Sequence, residues 1–140
     1  MKIVLDIKII LDTNVFVSGV FFSGPPYQIL KAWQSGGFEL VVSPEILNEY
    51  RRVGEVLAEE HPNVDLTPIL NFVLEHATVY DPPSLQEPIC EDPDDDKFFA
   101  CALASGCKVI VSGDKHLLKV SGYEGIEVLN PRAFVDTYLV

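Results

Sequence analysis

The sequence predicts an α/β fold, a three-layer α/β/α arrangement around a mainly parallel central sheet of about five strands. Three observations carry that prediction. Short runs rich in Ile, Val and Leu recur with little alternation, as expected of strands covered on both faces. Segments with helical spacing stand between them. No linker or break in composition divides the 140 residues, so a single domain over 1–140 is expected.

The elements follow in order. Lys2 to Leu11 reads as one buried strand, or a strand with a leader, because Lys2 to Ile7 (KIVLDI) and Lys8 to Thr13 (KIILDT) form a near-repeat too short for a solenoid unit. It ends at Asp12. After a turn at Gly24 to Pro26, Tyr27 to Gln34 reads as a helix stopped by Gly36 and Gly37. Phe38 to Val42 is a second strand. Ser43 followed by Pro44 supplies an N-cap and a first-turn proline for a helix running to about Leu57. Asp65 to His76 reads as a further helix and Ala77 to Tyr80 as a short strand. An acidic loop from Pro88 to Asp95 leads into a helix ending near Gly106. Lys108 to Ser112 and Ile126 to Leu129 are the last strands, and Pro131 to Tyr138 the last helix.

Composition narrows the function classes. The chain is 48% apolar and 22% charged, enough for a packed core. Ten Lys and Arg against 21 Asp and Glu give a net charge of −11, the opposite of a broadly basic nucleic-acid-binding surface. A polyanionic ligand would need locally arranged cations. Cys90, Cys101 and Cys107 are odd in number and lack paired zinc-site spacings, which suits a reducing cytosol. Asp6, Lys8 and Asp12 interrupt the apolar N-terminus, and no run is long enough to span a membrane. A cytoplasmic protein is expected.

In such folds ligands gather beyond the carboxyl ends of the strands, and four acidic residues are predicted there. Asp12 follows the first strand, and Asp114 follows the strand that ends at Ser112. Glu49 interrupts the apolar seam of Ile46, Tyr50, Val53 and Leu57. Asp96 shares a helix face with Phe99, Ala100, Leu103 and Cys107. Structural roles compete for each. The run Asp92, Asp94, Asp95, Asp96 around Pro93 suits an N-cap and an acidic first turn, Asp12 and Asp114 suit turn caps, and Glu49 suits an ion pair with Arg52.

Brought together, the four carboxylates would repel one another and raise each other's pKa unless a cation neutralises them. An oxygen-only donor set with no His or Cys points to Mg²⁺ or Mn²⁺. Such an ion binds phosphate oxygens and activates water. Arg51, Arg52, Lys97, Lys115 and Lys119 lie within five residues of these acids and are candidate phosphate contacts, or ordinary solvated helix cations. His61 and His76 have no partner at metal spacing. His116, near Asp114, is not required as a base where a metal activates water. Phe21, Phe22 and Tyr27 around a Gly-Pro-Pro loop suit either a partner contact or core packing.

Four segments in order, Asp12-Thr13-Asn14 with Val15 to Gly19, Ser43 to Glu49, Asp92 to Phe98 with Ala100 to Ala102, and Val111 to Lys115, resemble the signatures of PIN-domain proteins. The resemblance spans nearly the whole chain and is nearest to small prokaryotic toxin components of toxin–antitoxin systems, the VapC type. It implies a divalent-metal-dependent endoribonuclease with Asp12, Glu49, Asp96 and Asp114 as the catalytic and metal-binding quartet, supported by Asn14 and Ser112, with Asp94 as a further candidate acid. It also implies hydrolysis leaving a 5′-phosphate and a 3′-hydroxyl, an antitoxin that blocks the groove, and homodimers. His116 stands where many relatives carry another Asp or Asn. Two alternatives compete: a haloacid-dehalogenase-like Mg²⁺ phosphatase, which would want an Asp where Asn14 stands, and a PIN-like interaction module without activity.

Overall fold

The computed structural model describes residues 6–139. Five strands form one sheet in the order β3-β2-β1-β4-β5, every neighbouring pair parallel. The strands are β1 (Lys8–Leu11), β2 (Glu39–Val42), β3 (Thr78–Val79), β4 (Val109–Val111) and β5 (Glu127–Leu129). Helices flank the sheet, giving the expected three-layer α/β/α architecture. They are α1 (Thr13–Phe21), α2 (Pro25–Gln34), α3 (Pro44–Glu60), α4 (Thr67–His76), α5 (Asp96–Ser105), α6 (Lys115–Lys119) and α7 (Pro131–Tyr138).

The sheet is buried as its apolar composition requires. Ile9, Ile10, Leu11, Leu40, Val41, Val42, Ile110 and Val111 are fully enclosed. Strand order reverses between β1 and β4: the chain leaves β1 towards β2 on one side, and later returns to β4 on the other. This is the switch point at which an open parallel sheet leaves a crevice beyond its carboxyl edge. Asp12 and the Ser112-Gly113-Asp114 turn emerge there.

Several elements differ from the expectation. The expected strand from Lys2 is confined to Lys8–Leu11 among the described residues; Asp6 and Ile7 are not strand, and residues 2–5 lie outside the described part. Helix α1 has no counterpart in the sequence reading, because its β-branched and aromatic residues favour strand locally. Asp12 overrides that preference: its Oδ1 accepts the Val15 N–H at 2.8 Å and starts the helix. Helix α2 begins at Pro25 rather than Tyr27, since prolines in a first helical turn forfeit no hydrogen bond. Asp65 stays outside α4, its side chain accepting the Thr67 N–H at 3.0 Å.

The Ser43 cap forms as expected, Ser43 Oγ accepting the Ile46 N–H at 3.2 Å, but α3 continues to Glu60. Helices α1 and α3 are coupled by Phe16 and Tyr50, whose rings stack 4.1 Å apart. The buried Tyr50 hydroxyl donates to the Leu11 carbonyl at 2.5 Å, fixing the end of β1 just before Asp12.

Helix α1 also packs tightly on α2 at Gly19, where an added Cβ would lie 2.6 Å from Leu30 Cδ1 and 2.7 Å from the Pro26 carbonyl oxygen. The carbonyl belongs to the backbone and cannot swing away. Gly19→Ala is therefore expected to destabilise the protein by about 1–3 kcal/mol despite alanine's better helix propensity. Thermal denaturation checks this; an unchanged midpoint would mean that the helices can separate freely.

Candidate metal centre

A cleft of about 280 Å³ opens at the switch point, lined by Asp12, Thr13, Asn14, Glu49, Arg52, Val53, Asp94, Asp95, Phe98 and Asp114. Three of the four expected acids, Asp12, Glu49 and Asp114, line it. Larger hollows lie elsewhere, one of 380 Å³ at the opposite ends of the strands and one of 330 Å³ between α2 and α4. The first mixes Asp6 and Glu39 with Lys8 and Lys108, and the second is mostly apolar, so neither gathers uncompensated carboxylates.

Asp12 is the most enclosed of the acids, only 4% exposed. Its second oxygen accepts a hydrogen bond from the fully buried Ser112 hydroxyl, whose oxygen in turn accepts the Asp114 N–H at 2.9 Å. Ser112 thus ties the ends of β1 and β4 together. Burial pushes the Asp12 carboxyl up to about 6; the nearby Asp114 and Glu49 charges add to the rise, while the Ser112 and Val15 hydrogen bonds oppose it. Asp114 also caps, accepting the His116 N–H at 2.8 Å. The capping role and a place in the cleft are therefore compatible for both residues. Asn14 is exposed on the first turn of α1 and lines the cleft.

Asp96, the fourth expected acid, lies elsewhere. Its Oδ1 accepts the Cys90 N–H at 2.7 Å and the Ile89 N–H at 3.3 Å, fastening the acidic loop to α5, and it does not line the cleft. Asp95 stands there instead. Its Oδ2 is, among the described residues, the one buried side-chain nitrogen or oxygen without a hydrogen-bond partner. Its carboxyl is pushed up to about 6, first by burial and then by the Asp114 and Asp92 charges, with Lys97 opposing.

Two features moved the position by one residue. A 3-10 turn, Pro93–Asp95, runs directly into α5, so Asp95 stands one residue before the helix. Phe98, Cys101, Ala102 and Ser105 are buried along one face of α5, with Lys97 and Phe99 buried beside it, whereas Leu103, expected on the inward face with Asp96, is 42% exposed. Extended backwards, the observed stripe leads to Asp95.

Glu49 is held from two sides. Thr13 Oγ1 donates to its Oε1, and Lys97 Nζ lies 2.8 Å from its Oε2, with Arg52 at 3.5 Å. Thr13 had no expected role beyond its place in the Asp-Thr-Asn segment. Lys97, expected as a phosphate contact, is instead buried; its ammonium bridges Glu49 and Asp94. Of the other expected cations, Arg52 lines the cleft with an exposed side chain, Arg51 pairs with Glu55 at 3.6 Å, Lys119 pairs with Glu91 at 2.9 Å, and Lys115 is exposed beside Asp114. His116 also pairs with Glu91, at 3.0 Å.

The donor set fits a hard divalent cation: carboxylate oxygens at one cleft, two of the groups resisting ionisation first because they are buried and then because other carboxylates stand nearby, and one buried oxygen with no donor. Among the described residues, no three His, Cys, Asp or Glu side chains are already closed around one point. Mutual repulsion of the acids and the commitment of Glu49 to Thr13 and Lys97 are sufficient physical reasons.

Fold and cleft together define a class, the open α/β proteins with a carboxylate-lined cleft at the switch point of a parallel sheet. The chain belongs to the PIN-domain family, whose model matches residues 8–116. PIN domains are in general nucleases that use divalent metal ions. The chain is also similar to the uncharacterized protein MJ1680 of Methanocaldococcus jannaschii, 27% identical over an alignment covering 96% of this chain and 93% of the relative. Among the described residues no helix is long and apolar enough to cross a membrane.

Proposed function

We propose that the protein is a divalent-metal-dependent endoribonuclease, the toxin of a toxin–antitoxin pair, acting in the cytoplasm. The observation that carries this reading is the gathering of Asp12, Glu49, Asp95 and Asp114 in one cleft beyond the ends of β1 and β4. Asp12, Asp95 and Asp114 would hold Mg²⁺ or Mn²⁺. The bound ion would neutralise a phosphodiester oxygen and lower the pKa of a water molecule.

The chain's own residues do the rest. Ser112 keeps Asp12 and the Asp114 turn in one arrangement. Glu49, fixed by Thr13 and Lys97, lines the same cleft and would orient the attacking water. Asn14 lies at the rim, where it can donate to a phosphate or sugar oxygen. Arg52 is placed to receive a flanking phosphate and Lys115 stands beside Asp114, which reconciles a polyanionic substrate with the net charge of −11. Attack in line would leave a 5′-phosphate and a 3′-hydroxyl. The exposed Phe22 and Tyr27 offer apolar contact area to an antitoxin or to a second copy in a homodimer.

Incubation of the purified protein with single-stranded RNA and Mn²⁺ tests the reading. Endonucleolytic cleavage that stops on chelation is expected. Intact RNA alongside phosphate release from small esters would replace the nuclease with a phosphatase.

A further inference from the structure

A buried lysine holding two carboxylates at the wall of an acidic cleft is unusual, because lysine is seldom enclosed and its ammonium is costly to desolvate. Lys97 stands on the first turn of α5, its side chain 3% exposed. The ammonium lies 2.8 Å from Glu49 Oε2 and 3.2 Å from Asp94 Oδ1, and donates to the Asp94 carbonyl at 2.6 Å. Three partners match the three N–H donors of an ammonium, so none is left for a ligand.

The cleft is thereby divided. On one side Glu49 and Asp94 are neutralised by a fixed internal cation, and both Glu49 oxygens are engaged, Oε1 by Thr13 and Oε2 by Lys97 and Arg52. On the other side Asp12, Asp95 and Asp114 have no internal cation within ion-pair distance among the described residues, and Asp95 Oδ2 is buried with no donor. We propose that Lys97 is a resident counter-cation that holds Glu49 and Asp94 at the cleft wall in place of a second metal ion, so that the protein takes up a single divalent ion on the Asp12, Asp95 and Asp114 side while Glu49 binds Lys97 and not the metal. This rests on the metal-dependent reading and extends it to the number of ions and the role of Glu49. Lys97 is a positioning residue: it holds Glu49 at the cleft wall.

A second ion would have to displace the ammonium from Glu49 and Asp94. Leaving a buried lysine without its partners is strongly unfavourable. Substitution at Lys97 should therefore let a second ion bind.

Calorimetric titration of the RNA-free protein with Mn²⁺ tests the proposal without relying on activity. The wild type is expected to bind one ion, and Lys97→Gln two. Glu49→Gln is expected to bind one ion with a Kd within about threefold of wild type, whereas loss of a direct ligand would cost at least the roughly 10-fold seen for outer-shell changes. Two comparable sites in the wild type, a single site in folded Lys97→Gln, or a tenfold or greater weakening in Glu49→Gln each overturns the proposal while leaving the metal-dependent reading intact. If Lys97→Gln does not fold, the wild-type stoichiometry and the Glu49→Gln affinity decide by the same criteria. Absence of Mn²⁺ binding to the wild type at millimolar concentration overturns the metal-dependent reading itself, and the proposal with it.

Discussion

Replacing Asp12 by Asn is expected to abolish metal-dependent cleavage and, at the same time, to make the metal-free protein more stable at neutral pH. The amide keeps the shape of the side chain; its oxygen can still accept the Val15 N–H, and its NH2, standing where Oδ2 was, can donate to Ser112 Oγ. What it removes is a carboxylate whose ionisation burial opposes. The rise of that carboxyl from 3.8 to about 6 corresponds to about 3 kcal/mol of penalty once the group is ionised.

The sign follows from proton linkage. Between pH 3.8 and about 6 the folded protein binds the Asp12 proton more tightly than the unfolded chain does. The stability associated with Asp12 is thus fully present below 3.8, declines as pH rises, and is lost above about 6. Comparing the wild type with Asp12→Asn cancels the other carboxylates. Chemical denaturation in the presence of a chelator should show the variant ahead by up to about 3 kcal/mol at pH 8, with the gap nearly closed at pH 4. Mn²⁺ should reverse the order at pH 8 by stabilising the wild type alone. A variant less stable than the wild type at pH 8 without metal would mean that the Asp12 carboxylate is already compensated within the fold.

The second large effect separates two adjacent acids. Asp95→Asn is expected to lower the cleavage rate by at least about 100-fold, the scale on which removing one well-placed electrostatic group from an active site is felt. Asp96→Asn should stay within a few-fold of wild type, because an amide oxygen can still accept from the Cys90 N–H. Asp96→Ala, by contrast, leaves the Ile89 and Cys90 N–H groups without their acceptor and should cost about 1–3 kcal/mol of stability. Cleavage assays with thermal denaturation on the three variants check this. Inactive Asp96→Asn beside active Asp95→Asn would restore Asp96 to the site and remove Asp95.

That pair also shows where sequence reasoning stops. The order of strands and helices follows from apolar runs and caps, and it brings Asp12 and Asp114 to one edge because each directly follows a parallel strand. Glu49 was legible as an acid within an apolar seam. Asp95 was not, because the inward face of α5 was drawn through Leu103, which is exposed, rather than through Phe98, Cys101, Ala102 and Ser105. One residue of slip moves a side chain by about 100°, from the loop to the cleft. Helix α1 was hidden for a different reason: its residues favour strand, and only the Asp12 cap and burial of Val15, Phe16 and Val17 against the core make it helical. Lys97 reads from the sequence as a solvated first-turn cation. Its burial depends on Glu49, which is distant in sequence and reaches it only through the packing of α3 against α5.

The central claim is that Asp12, Asp95 and Asp114 share one cation. A crystal of the protein soaked in Mn²⁺, with anomalous scattering recorded at the manganese edge, tests it most directly. A manganese peak bounded by carboxylate oxygens of all three residues, with Lys97 still on Glu49, is the result expected. Manganese bound only outside the cleft, or coordinated by Asp96, would contradict it.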